Sequence, residues 1–159
     1  MPDMLVKLYE LDRYEDNRKR LHDQGISIQP AMAANLEAIR RWITDCFGQG
    51  WADEATQAIL SSPSHCLLAI RETDGKRELL GFACYDATAK GFFGPTGVSK
   101  AARGLGVGRA LLIGTLKNME ASGYAYAIIG GVGPAKFYEA CCGAVLIDGS
   151  SPGYYRNLL

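Results

Sequence analysis

From Ala33 to Phe47 the apolar residues Leu36, Ile39, Ile43 and Phe47 recur three or four positions apart, and Gly48 stands where the run stops. That spacing puts them on one face of an amphipathic helix. A second helix is predicted over 52–61, closed by Ser61-Ser62-Pro63. Two runs of β character follow, 65–71 and 78–87, joined through Asp74-Gly75, a strong hairpin signal. Lys90-Gly91 then turns the chain into 92–98, Phe-Phe-Gly-Pro-Thr-Gly-Val. Its glycines and proline predict a strand that is bulged or that another group approaches along its backbone.

A long helix is predicted from about Gly106 to Ala121, stopped by Ser122-Gly123, and then a strand over 124–130. Pro134 suits the first turn of a helix over 134–142, and strands at 144–148 and 154–158 complete the series. Ahead of all this, 4–9 reads as a strand, 12–23 as a charged helical stretch and 26–31 as another strand. Hairpins first and helix crossovers later give a mixed sheet of the α+β or α/β class.

Composition narrows the picture. The 159 residues match one domain, and 48% apolar with 21% charged residues can bury a core, which excludes disorder and fibres. Basic and acidic residues balance at 17 each, against a broad nucleic-acid-binding face. The halves differ: 1–80 holds 10 basic and 13 acidic residues, 81–159 holds 7 and 4. The mildly basic second half is compatible with an anionic ligand. Cys46, Cys66, Cys84, Cys141 and Cys142 show no metal-ligand spacing and read as reduced, mostly buried thiols. With no signal-peptide pattern and no run approaching eighteen apolar residues, the expected location is cytoplasmic, with no membrane partner.

Glycine is the anomaly: 4 of 19 lie before residue 80 and 15 after it. The densest cluster is in 98–112, where Gly104, Gly106 and Gly108 alternate with Leu105 and Val107 at the start of the long helix. Free N–H groups at a helix start, joined by residues without a Cβ, make an anion site backed by the helix dipole. Lys100, Arg103 and Arg109 flank it and suit phosphate oxygens. Arg109-Ala110 follows Gly108, so the Lys-Ser/Thr of a nucleotide P-loop is missing, and neither frame of the triplet completes G-x-G-x-x-G.

Arg103-Gly104-Leu105-Gly106-Val107-Gly108 resembles the R/Q-x-x-G-x-G/A signature of the GCN5-related N-acetyltransferases (GNAT), in the same place between strand and long helix. Phe137-Tyr138-Glu139, with Gly143-Ala144 after it, is similar to a second segment of that family, and the likeness extends over roughly 26–159. It implies one GNAT domain over 1–159, with 1–25 outside the common core, and a mostly antiparallel mixed sheet flanked by helices.

The resemblance further implies an acetyl-CoA site without a metal. Gly104, Leu105, Gly106, Val107, Gly108, Arg109 and Ala110, with Arg103, would hold the pyrophosphate, and Gly97 and Val98 would pair with the pantetheine arm. Pro134 and Phe137 would belong to the same site, and splayed strands would account for Gly94, Gly97, Gly130, Gly131 and Gly133. Tyr138 would protonate the departing sulfur, the Val98 N–H would polarise the thioester carbonyl, and Asp86 is the candidate acceptor of the amine proton. Gly131-Val132-Gly133-Pro134 stands where the family commonly has an asparagine.

The implied reaction is direct transfer of acetyl to a primary amine of a small molecule or protein, with a homodimer allowed for. The alternatives are a non-catalytic acyl-CoA sensor and a transferase of longer acyl groups. Asp45, Asp53, Glu54, Trp42, Phe47, Trp51, Tyr154 and Tyr155 fall in the segments that would face the acceptor.

Overall fold

The structure is a computed structural model that describes all residues, 1–159. The strands are β1 (Met4–Lys7), β2 (Ile26–Pro30), β3 (Cys66–Thr73), β4 (Lys76–Tyr85), β5 (Phe92–Val98), β6 (Tyr126–Ile129) and β7 (Val145–Leu146). The helices are α1 (Arg18–His22), α2 (Leu36–Phe47), α3 (Gln49–Ile59), α4 (Val107–Ala121) and α5 (Ala135–Cys142). One sheet runs in the order β2-β3-β4-β5-β6-β1-β7. Its pairings are antiparallel except β5 with β6, so it is the mixed, mostly antiparallel sheet expected.

Local chemistry explains the elements that match expectation. Asp74 and Gly75 both take positive φ (51° and 77°) between the paired residues Thr73 and Lys76, the geometry a tight hairpin requires. In α2, Ile39 and Ile43 are buried, and with α3 they cover one face of the sheet over Leu68, Phe82 and Cys84. On the other face, α4 buries Ala110, Leu111, Ile113, Leu116 and Met119 against Leu67, Leu80 and Phe93.

Three segments differ from the sequence reading. The charged stretch 12–23 is not one helix: a 3-10 turn spans Leu8–Arg13, and α1 begins only at Arg18, after Asp16 accepts the Arg18 backbone N–H at 3.2 Å. That side-chain acceptor gives the backbone an alternative to continuing the helix. The expected strand 154–158 is a 3-10 turn, Gly153–Asn157, and 144–148 contracts to the two residues of β7. Both changes follow from β1, which lies between β6 and β7 and takes the place beside β6. Residues 1–25 thus supply a sheet strand, as the reading of 4–9 predicts, and Met4, Val6, Leu8, Leu11 and Leu21 are all buried. No helix is long and apolar enough to cross a membrane.

Candidate active site

β5 and β6 pair only at Phe92–Ile128 and Phe93–Ile129, and then part. The cause lies in β5. Between the Ala83–Thr96 and Tyr85–Phe93 pairs, Gly94 and Pro95 oppose the single residue Cys84, so the strand is bulged there as its sequence predicts. Beyond the bulge β5 stays on β4 through Val98, while β6 is drawn away. The Gly131 N–H donates to the Asp3 carboxylate at 2.8 Å, and the Val132 N–H donates to the Pro2 carbonyl at 2.9 Å. The N-terminal strand therefore holds the gap open.

The inner edge of that gap is polar backbone. The Ser99 N–H donates to the Leu80 carbonyl at 2.8 Å. Antiparallel ladders alternate, so Val98 and Thr96 direct their N–H and C=O away from β4 and into the gap, whereas Gly97 faces β4. Thr96 is a position that sequence reasoning missed. Gly97 has a different reason to be glycine: a Cβ there would lie 2.5 Å from the ring of Phe47.

At the end of β5 the chain enters the glycine loop. Gly104 and Gly106 take φ of +85° and +86°, a region costly for other L residues, and Gly106 caps α4. The first intrahelical bond runs from the Ala110 N–H to the Gly106 carbonyl at 3.1 Å, which leaves the Val107, Gly108 and Arg109 N–H groups without helical acceptors. Val107 and Ala110 are buried and anchor the turn, while Arg103, Gly104 and Leu105 are exposed. Gly108 lies under Phe137 and Val98, whose side chains would stand 3.6 and 3.8 Å from a Cβ there. Phe137 thus joins α5 to the loop, and Pro134 caps α5 from an exposed position.

The loop has a support that its own sequence does not contain. Asn17, 2% exposed, donates from Nδ2 to the Gly106 carbonyl at 2.9 Å. Its neighbours extend the contact: Glu15 meets Arg20 at 3.3 Å and Arg109 at 3.8 Å. A Cβ on Gly106 would lie 3.9 Å from the Arg20 guanidinium. Arg20 and Arg109 therefore stand beside the free N–H groups, with Glu15 paired to both.

Tyr138 sits where the strands part. Its ring meets Phe93 edge-on at 6.3 Å, it is 7% exposed, and its hydroxyl has no protein partner. Burial, reinforced by Cys142 and Cys141, pushes its phenol up to about 12. The two cysteines are packed thiols, as expected: burial pushes Cys142 up to about 12 and raises Cys141, and the Cys142 thiol donates to the Tyr138 carbonyl at 3.2 Å.

Asp86, the expected proton acceptor, has both carboxylate oxygens hydrogen-bonded within the chain. One carboxylate oxygen accepts the Gly91 N–H and the other the Tyr124 hydroxyl, both at 2.7 Å, and its own backbone is held at φ 54°. One oxygen thus holds the turn between β4 and β5, and the other ties that turn to Tyr124, between α4 and β6.

A parted strand pair, a glycine loop at a helix start and a buried tyrosine between them form one continuous feature. The model of the acetyltransferase (GNAT) family matches residues 36–144. The chain belongs to this family. Solved structures agree at the level of the fold, and a comparison with curated proteins gives no match. The GCN5-related glucosamine N-acetyltransferase region of a fungal multi-domain GH3 β-N-acetylglucosaminidase superposes with a TM-score of 0.71 at 12% identity, over 92% of this chain and 19% of that one. A GCN5-related N-acetyltransferase from Sphaerobacter thermophilus gives 0.68 at 20% identity, over 92% and 48%. The aminoglycoside N-acetyltransferase AAC(6')-Iy, solved in complex with CoA, gives 0.50 at 16% identity, over 73% and 86%. The chain thus spans less than half the length of the first two.

Within this GNAT chain the structure brings Val98, Gly108 of the glycine loop and Phe137 together, with Tyr138 against Phe137; Gly97, expected to pair with the ligand arm, turns its backbone groups to β4 instead, and Asp86 is held by Gly91 and Tyr124. Residues missed by sequence reasoning are Thr96, Asn17 and Arg20. Only the bulge at Gly94-Pro95 hinted at Thr96, and no local signal marks the other two.

Proposed function

We propose that this protein, acting as one domain over 1–159, transfers an acetyl group from acetyl-CoA to a primary amine. The observation that carries the reading is the continuity of the gap edge with the free N–H groups of α4. An extended arm pairs with Thr96 and Val98 as an added strand, and its phosphate end reaches the helix start within the same groove. The cradle fits a pyrophosphate: Gly104 and Gly106 expose backbone, and the Val107, Gly108 and Arg109 N–H groups lack acceptors. Arg103, Arg109 and Arg20 supply cations, and Phe137 with Pro134 closes the side of the groove toward α5.

The chemistry follows from the backbone and from Tyr138. The gap-facing N–H groups of β5 stabilise the oxygen that becomes negative as the amine attacks the thioester carbon. Tyr138 stands at the parting with a free hydroxyl. With its phenol near 12 against about 8.5 for an ordinary thiol, it keeps its proton throughout. Full transfer to a thiolate is therefore uphill, and Tyr138 acts as the hydrogen-bond donor that stabilises the sulfur as the carbon–sulfur bond breaks.

Thiol release from acetyl-CoA in a panel of primary amines, beside calorimetric titration with acetyl-CoA, tests the reading. Acetyl-CoA binding with amine-dependent thiol release supports it. Binding without turnover of any amine points to an acyl-CoA sensor, and turnover only with longer acyl-CoA esters to a different donor.

A further inference from the structure

On the sheet face opposite Tyr138, the parting of β5 and β6 is overlaid by groups from three distant segments. Tyr155, in the C-terminal 3-10 turn, lies against Gly130, where a Cβ would meet its ring at 3.2 Å and that of Phe92 at 3.0 Å. Its hydroxyl is 3.1 Å from the Thr88 hydroxyl, and Thr88 donates to the Glu54 carboxylate on α3 at 2.7 Å. Because the Thr88 proton goes to Glu54, Tyr155 is the donor to Thr88, and the chain of hydrogen bonds ends on one Glu54 oxygen. The other Glu54 oxygen has no hydrogen-bond partner, and Glu54 enters no ion pair. A half-buried carboxylate oriented by two hydroxyls and left without a cation beside the opening has capacity for one more donor.

We propose that Glu54 accepts the proton of the attacking amine, with Thr88 and Tyr155 as its positioning residues. The inference deepens the acetyltransferase reading and rests on it. Glu54 and Tyr138 then stand on opposite faces of the same gap, so the amine arrives from the α3 side. The neutral amine forms the nitrogen–carbon bond, the carbon–sulfur bond breaks, and the sulfur leaves as thiolate beside the Tyr138 hydroxyl. The proton shed by nitrogen passes to Glu54 and from there to water. Trp51 lies one helical turn before Glu54 and is 40% exposed, and Tyr154 packs on Phe92 at 5.4 Å. These aromatic walls suit an amine carried on an apolar or flat body. Burial pushes the Tyr155 phenol up, which keeps it a donor to Thr88.

The test compares wild-type protein with Glu54→Gln and Glu54→Ala in acetyl-CoA titration and amine-dependent thiol release. Glu54→Gln is expected to bind acetyl-CoA as wild type does and to lose about 100-fold in kcat, the size of a lost general base. Glu54→Ala is expected to regain turnover when formate is added, which a merely structural role for Glu54 would not produce. Thr88→Val and Tyr155→Phe, which loosen Glu54 without removing it, are expected to lower kcat by about tenfold or less. An E54Q variant within twofold of wild type, or an E54A variant inactive with and without formate, overturns the assignment while the acetyltransferase reading stands. Wild-type protein that acetylates no amine overturns both.

Discussion

Asn17 and Gly106 are 89 residues apart in the chain, yet the Asn17 amide donates to the Gly106 carbonyl at 2.9 Å. That carbonyl also opens the α4 hydrogen-bond ladder, so the side chain fixes the turn from which the free N–H groups project. Replacing Asn17 by Ala leaves a buried acceptor short of a partner, a loss of about 1–2 kcal/mol. The expected result is a roughly tenfold weaker Kd for CoA by calorimetry. Asn17→Asp, which turns the donor into a second acceptor facing a carbonyl, should weaken it further.

The glycine loop predicts an order of sensitivity. Gly104→Ala and Gly106→Ala both force alanine to positive φ, at about 1–2 kcal/mol each. A Cβ on Gly104 meets open space, whereas one on Gly106 lies 2.8 Å from the Asn17 amide nitrogen. Calorimetric titration with CoA should therefore find binding weakened in G104A and abolished in G106A.

Tyr138→Phe should lower kcat by 10-fold or more while leaving the Kd for CoA within twofold, because the hydroxyl meets the sulfur only as it leaves. With the phenol near 12, the wild-type pH–rate profile should show no alkaline decline from Tyr138 below about pH 11.

Acid should loosen the N-terminal support of the loop. Hydrogen bonding to Arg18 holds the Asp16 carboxyl at about 2, below its ordinary value of 3.8. A depressed pKa contributes stability that is present above the unfolded value and is lost as pH falls through the folded one. Melting temperature should therefore drop more steeply between pH 4 and pH 2 in wild type than in Asp16→Asn, which lacks the contribution at every pH.

The turn role of Asp86 also has a readout. Burial, with the hydrogen bond to Asp86, pushes the Tyr124 phenol up to about 12. In Asp86→Ala, Tyr124 should titrate closer to 10 by ultraviolet absorbance, and the melting temperature should fall through loss of both 2.7 Å bonds.

The amino-acid sequence by itself determined the features that depend on neighbours in the chain. Glycines at a helix start expose N–H groups wherever they fold, Asp74-Gly75 turns a hairpin unaided, and Gly94-Pro95 spoils a ladder locally. Hence the glycine loop, the meander and the bulged strand were legible, and with them the family. Asp86 stands at a strand end, and its partner Tyr124 lies 38 residues on, beyond the reach of any local pattern. The reading of 154–158 as a strand failed because β1 takes the place beside β6, a competition no local pattern records. Tertiary structure alone decided that Asn17 supports the loop, that Asp3 draws β6 from β5, and that Tyr155, Thr88 and Glu54 meet over the gap. Each is a hydrogen bond between distant segments, whose partners are specified by how the sheet is ordered rather than by spacing along the chain.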